Sequence, residues 1–126
     1  MTTGDWPFLV VDDETEMCWI MEQILRKSGF VCEAALDGQE AIALMKRQRF
    51  CMAFLDAKLI DLDGLDLARQ IRELDASLPI IIVSGYFYAE DVMIQGAKES
   101  GLISAFVSKP FEHDEILRVI ELYGTR

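Results

Sequence analysis

Histidine is almost missing from this chain: one residue, His113, stands among 126, beside three cysteines. Cys18, Cys32 and Cys51 form no C-x-x-C pair, and an odd number cannot all be bridged. A Cys/His zinc site is therefore poorly supported, and the cysteines read as reduced thiols. Long apolar runs are missing too. The longest buried-looking stretch, Leu78-Pro-Ile-Ile-Ile-Val83, falls far short of the ~18 residues of a membrane span. The N-terminus has no basic start and no apolar core, so no export signal is visible. These absences predict a cytoplasmic protein with no membrane contact. Positive charge is scarce as well, with 12 basic against 22 acidic residues and a net charge of −10. Such a surface repels nucleic acid and anionic lipid, which leaves a cation, or a protein with a basic patch, as the expected partner.

What is present is globular: 52% apolar and 27% charged residues. A chain of this length forms one domain, predicted over residues 5–124, with no room for a second catalytic or DNA-binding unit. Apolar runs at 8–11, 30–34, 51–55, 80–83 and 105–108 are mostly apolar throughout, as strands covered on both faces should be. Helical spacing fills the intervals. The first helix carries a stripe of Met17, Ile20, Met21, Ile24 and Leu25, stopped at Ser28-Gly29. The second opens at Asp37-Gly-Gln-Glu40, which resembles a capping box. The third presents Leu65, Leu67, Ala68 and Ile71, the fourth spans about 89–99, and the fifth turns Ile116, Leu117, Ile120 and Tyr123 inward. Five βα units predict a doubly wound α/β fold around a parallel sheet, with the ligand site beyond the carboxyl ends of the strands.

Four of the five predicted strands deliver a polar group to that edge: Asp12 and Asp13, Asp56, Ser84 and Lys109. A carboxylate in such a place is usually a helix cap or turn residue, as Asp37 is expected to be. Three carboxylates together, however, repel one another unless a cation sits among them. Oxygen-only ligands suit Mg²⁺. Lys109 adds a compact positive charge and Ser84 a hydroxyl. A carboxylate placed among a divalent cation, an ammonium and a hydroxyl is equipped to attack a phosphoryl group.

The segments Phe8-Leu-Val-Val-Asp12-Asp13-Glu14, Phe54-Leu-Asp56, Asp63-Gly64, Ile80-Ile-Ile-Val-Ser84-Gly85 and Phe106-Val-Ser-Lys109-Pro110-Phe111 span nearly the whole chain. Their combination resembles the receiver domain of two-component response regulators, single-domain chemotaxis regulators among them. The resemblance implies a flavodoxin-like (βα)5 fold with strand order 2-1-3-4-5. It implies that Asp56 accepts the phosphoryl group, and that Asp12, Asp13, Asp56 and the backbone carbonyl of Lys58 hold Mg²⁺, for which Mn²⁺ can substitute. Ser84 and Lys109 would bind phosphoryl oxygens, the Lys109-Pro110 peptide would be cis, and Ser84 and Phe106 would form the switch. That switch would alter the face made by helix four, strand five and helix five. Implied partners are a histidine kinase or histidine phosphotransfer protein and a downstream protein or output domain, with a homodimer also open. Such a domain is no enzyme in the ordinary sense, since it catalyses only its own phosphorylation and dephosphorylation.

Two positions depart from the family pattern. Leu59-Ile60 stands where Met-Pro is usual, which predicts a less rigid loop. Phe106 lacks the phenolic hydroxyl often found there. Haloacid dehalogenase-like phosphatases, which also use an aspartyl nucleophile, need Asp-x-Asp after the first strand, whereas this chain has Asp12-Asp13-Glu14. A flavodoxin would have to bind a phosphate where two aspartates repel it. A pseudo-receiver that binds proteins without phosphorylation remains the alternative. Two further expectations concern the rim. Lys58 and Tyr86, at positions that flank the path of the hydrolytic water in this family, are expected to tune the phosphoryl lifetime. The predicted stripe of the first helix also leaves Cys18 and Trp19 outward, where they are candidates for docking the phosphodonor.

Overall fold

The computed structural model describes residues 6–85 and 91–124. Strands and helices alternate along them: β1 (Phe8–Val11), α1 (Thr15–Lys27), β2 (Cys32–Ala35), α2 (Gly38–Arg47), β3 (Met52–Asp56), α3 (Gly64–Leu74), β4 (Ile80–Ser84), α4 (Val92–Glu99), β5 (Ala105–Ser108) and α5 (His113–Tyr123). The five strands form one parallel sheet in the order β2-β1-β3-β4-β5, as expected. Among the described residues no helix is long and apolar enough to cross a membrane.

Strand side chains alternate between the two faces, and each face has its own core. Leu9, Val11, Ala53, Leu55, Ile80 and Ile82 pack with the buried stripes of α2, α3 and α4. Phe8, Val10, Met52, Phe54, Ile81, Val83 and Val107 pack with α1 and α5. β1, β3 and β4 are buried at every position, which explains their unbroken apolar runs. Each such aliphatic or aromatic side chain contributes roughly 1.5–3 kcal/mol by leaving water.

The edge strand differs from its expectation. β2 begins at Cys32, two residues later than the apolar run suggests, and its middle residues Glu33 and Ala34 are exposed. Having a neighbour on one side and thin cover on its faces, it needs no continuous apolar sequence. Val31 points to solvent, while Phe30 folds back so that its ring lies 4.9 Å from that of Phe8.

α1 ends as its sequence predicts. Gly29 adopts φ 84°, its N–H bonds Arg26 C=O, and Phe30 N–H reaches back to Leu25 C=O. That paired geometry needs a left-handed residue, which glycine supplies without strain. The buried stripe of α1 is rotated from the expected one: Cys18, Met21, Ile24 and Leu25 are buried, whereas Met17 and Ile20 are half-buried. On α5, Ile116 and Val119 form the buried face, Leu117 and Ile120 flank it, and Tyr123 in the last turn stays exposed instead of facing inward.

Candidate functional site

Strand register assembles the site. Val11 pairs with Leu55, so the next residues, Asp12 and Asp56, lie side by side. Asp56 pairs with Val83 and Ser84 pairs with Ser108, which places Ser84 and Lys109 one step further along the same edge. The period-two alternation sends Asp12, Asp56 and Lys109 to the α1/α5 face. Ser84 follows Ile80 and Ile82 on the other face, the one against which Phe106 is half-buried.

Carboxylate oxygens of Asp12, Asp13 and Asp56 come within 4.8 Å of one another. Asp12 and Asp56 are only 4% and 6% exposed, while Asp13 is open to solvent. Lys109 Nζ donates to Asp12 Oδ2 at 2.8 Å and stands 3.7 Å from Asp56 Oδ1. Asp12 Oδ1 accepts the Glu14 N–H at 2.9 Å. The Lys109-Pro110 peptide is cis, and the Lys109 N–H holds the Ser84 carbonyl at 3.0 Å.

These contacts set the charge balance. Burial pushes Asp56 up to about 6, and the charges of Asp12 and Asp13 push the same way. Lys109 and the Lys58 N–H pull against that rise without cancelling it. For Lys109, burial disfavours the ammonium, but its hydrogen bond to Asp12 and the charges of Asp12, Asp56 and Glu14 win, leaving its pKa above the ordinary lysine value. One ammonium thus faces three carboxylates, and the cluster is short of positive charge. An all-oxygen donor set with that deficit fits a hard divalent cation such as Mg²⁺.

The loop from β3 to α3 wraps tightly. Gly64 N–H bonds Ala57 C=O at 2.7 Å, and a side chain at Gly64 would collide with the Asp56 carbonyl, so the first residue of α3 must be glycine. Lys58 is exposed and forms an antiparallel bridge with Asp63, which caps α3 by accepting the Leu65 N–H. The sequence reading missed Asp61. Its carboxylate accepts the N–H groups of Gly38 and Gln39 at 2.9 and 3.0 Å, and the Gly38 bond above all holds its pKa below the usual carboxylate value. No local signal announces this contact, because its partners lie 22 and 23 residues upstream.

Two rim expectations fare differently. Trp19 is 60% exposed, as expected. Cys18 is a correction. It is buried, with its thiol donating to the Asp12 carbonyl at 3.3 Å, so it supports the acid loop from beneath and offers nothing to a partner. Burial, then the charge of Asp12, pushes its pKa up to about 11, which keeps the thiol protonated. Tyr86 lies outside the described residues.

A parallel sheet in the order 2-1-3-4-5, with its polar cluster at the carboxyl edge, defines the flavodoxin-like class of doubly wound domains. Within that class, the response regulator receiver domain family matches residues 8–121, and the chain belongs to this family. It is 30% identical over 115 residues to sporulation initiation phosphotransferase F of Bacillus subtilis, covering 91% of this chain and 90% of that protein. Other relatives are longer, and the chain spans 23% to 45% of their length. A CheY-like receiver domain protein of Methanospirillum hungatei superposes with a TM-score of 0.84 at 26% identity, covering 93% of this chain and 91% of that one. The fold is shared with response regulator protein TrrA of Thermotoga maritima, solved in complex with Mg²⁺ and BeF, at a TM-score of 0.80 and 24% identity, covering 94% and 98%.

Proposed function

We propose that this receiver domain takes a phosphoryl group onto Asp56 from a phosphorylated histidine of a kinase or phosphotransfer protein in the cytoplasm. The observation that carries this reading is the placing of a buried Asp56 within a three-carboxylate cluster and 3.7 Å from the Lys109 ammonium. An Asp56 carboxylate oxygen forms the new O–P bond as the N–P bond to the donor imidazole breaks, its electron pair returning to the ring nitrogen. Asp12, Asp13, Asp56 and the Lys58 carbonyl would hold Mg²⁺, or Mn²⁺ in its place, and the ion when bound offsets charge on the transferring oxygens. Lys109 neutralises those oxygens from its own side, and the Ser84 hydroxyl donates to one of them. Lys58 and Tyr86, at positions that flank the path of the hydrolytic water in this family, would tune how fast the acyl phosphate is later cleaved.

The added charge would draw Ser84 inward and let Phe106 rotate, changing the α4-β5-α5 face read by a downstream protein, an output domain or a second copy. Intact mass after incubation with acetyl phosphate and Mg²⁺ tests the assignment. One phosphoryl group should add to the parent and none to Asp56→Asn. Equal labelling of both, or labelling in excess chelator, would overturn it.

A further inference from the structure

α2 is capped by two carboxylates from different parts of the chain. Its first N–H groups have no partner within the helix. Asp37 accepts from Glu40 at 2.8 Å, the local cap its sequence predicts. The two donors before it, Gly38 and Gln39, are taken by Asp61 of the β3–α3 loop. The partial positive charge of the helix N-terminus favours a carboxylate there. The packing is close as well, since a side chain at Gly38 would run into the Leu62 side chain beside Asp61.

This contact closes a circuit around the acid cluster. Asp12 N–H bonds the Ala35 carbonyl at 3.1 Å, which fixes the acid loop to the end of β2. Two residues later Asp37 starts α2, whose first two amides hold Asp61. Three residues before Asp61 is Lys58, already bridged to Asp63. Within this loop Leu59 is buried in the core and Leu62 packs against it, while Ile60 at the tip is 80% exposed. The Asp61 carboxylate adds a polar strut between the tip of the loop and the frame that carries Asp12.

We propose that Asp61 is a positioning residue of the acceptor site: by holding the Gly38 and Gln39 amides it sets where the loop presents the Lys58 carbonyl relative to Asp12 and Asp13. The proposal rests on the receiver reading, in which that carbonyl is a ligand of the divalent ion.

The test compares the parent with Asp61→Ala and Asp61→Asn by calorimetric Mg²⁺ titration of the unphosphorylated protein, amide exchange at Gly38 and Gln39, and melting in chelator. In Asp61→Ala both amides should exchange faster and Mg²⁺ should bind roughly tenfold more weakly, the scale typical of groups that orient a metal ligand. Asp61→Asn keeps one acceptor oxygen, enough for the Gly38 N–H, and sets an NH2 against the Gln39 N–H, so its affinity should fall between those of Asp61→Ala and the parent. It also carries the test if Asp61→Ala melts too low to titrate, since faster exchange at Gln39 with Mg²⁺ affinity equal to the parent's would then overturn the proposal. Mg²⁺ affinity unchanged in Asp61→Ala would reduce Asp61 to a helix cap and overturn the proposal. An Asp61→Asn variant that loses Mg²⁺ affinity while both amides stay as protected as in the parent would assign the effect to charge and overturn it too. A parent that binds Mg²⁺ but takes no phosphoryl group from acetyl phosphate would sink the receiver reading alone, leaving positioning to be decided by the titration. A parent that binds no Mg²⁺ would overturn both.

Discussion

The Lys109 ammonium is spent on Asp12, to which it donates at 2.8 Å across 97 residues of sequence, and it only approaches Asp56. The lysine is thus a counterion for the buried acid beside β1.

Removing that counterion should be costly. Lys109→Met keeps most of the stem but leaves Asp12 buried with, among the described residues, the Glu14 N–H as its remaining hydrogen-bond donor. We expect a loss of roughly 2–3 kcal/mol at neutral pH in chelator, somewhat below the range for fully buried pairs because Lys109 keeps some solvent contact. Saturating Mg²⁺ should recover part of it. Denaturant titrations with and without Mg²⁺ would show both effects, and a change below about 0.5 kcal/mol would mean that the pair contributes little.

In chelator, Asp56 should give the protein a characteristic pH response. Its folded pKa of about 6 lies above the value of about 3.9 in an unfolded chain. Between these values the native state binds more protons than the unfolded one, so stability falls as pH rises through the window. The full penalty, about 2–3 kcal/mol, applies above pH 6. Asp56→Asn removes it, so this variant should exceed the parent in stability by more at pH 7.5 than at pH 4.5 when measured in chelator. An equal gain at both values would show that Asp56 does not titrate in this range.

α1 should separate docking from packing. Trp19→Ala at an exposed position is expected to change stability by less than about 0.5 kcal/mol. It should slow transfer from a histidine-phosphorylated donor while leaving transfer from acetyl phosphate intact. Cys18 should behave in the opposite way, alkylating far more slowly in the native state than in denaturant at pH 8, because it is buried and held protonated. Peptide mapping after timed alkylation would decide, and equal rates would contradict the burial. Equal loss of transfer from both donors in Trp19→Ala would return that residue to a packing role.

The sheet and most of the acid cluster were legible in the sequence because they rest on local facts. Unbroken apolar runs mark strands covered on both faces, and the polar residue that ends each run necessarily stands at the carboxyl edge. β2 was blurred because an edge strand need not be apolar. On α1, Met17 and Cys18 are adjacent and both apolar, so periodicity admits either stripe. The burial of Cys18 beneath the Asp12 carbonyl settles it. Asp61 was invisible for a different reason: its role is made by a helix that precedes it by more than twenty residues.

The register pairs Val11 with Leu55, Asp56 with Val83, and Ser84 with Ser108, which makes tolerance to insertion directional. Extra residues at Gln48-Arg49 would only lengthen a connection that enters the sheet at its far pole, and the ladder would hold. One extra residue between Leu55 and Asp56 would turn the Asp56 carboxylate to the opposite face of the sheet. The two poles therefore differ in the changes they can absorb: length can drift where strands begin, and is locked where they end.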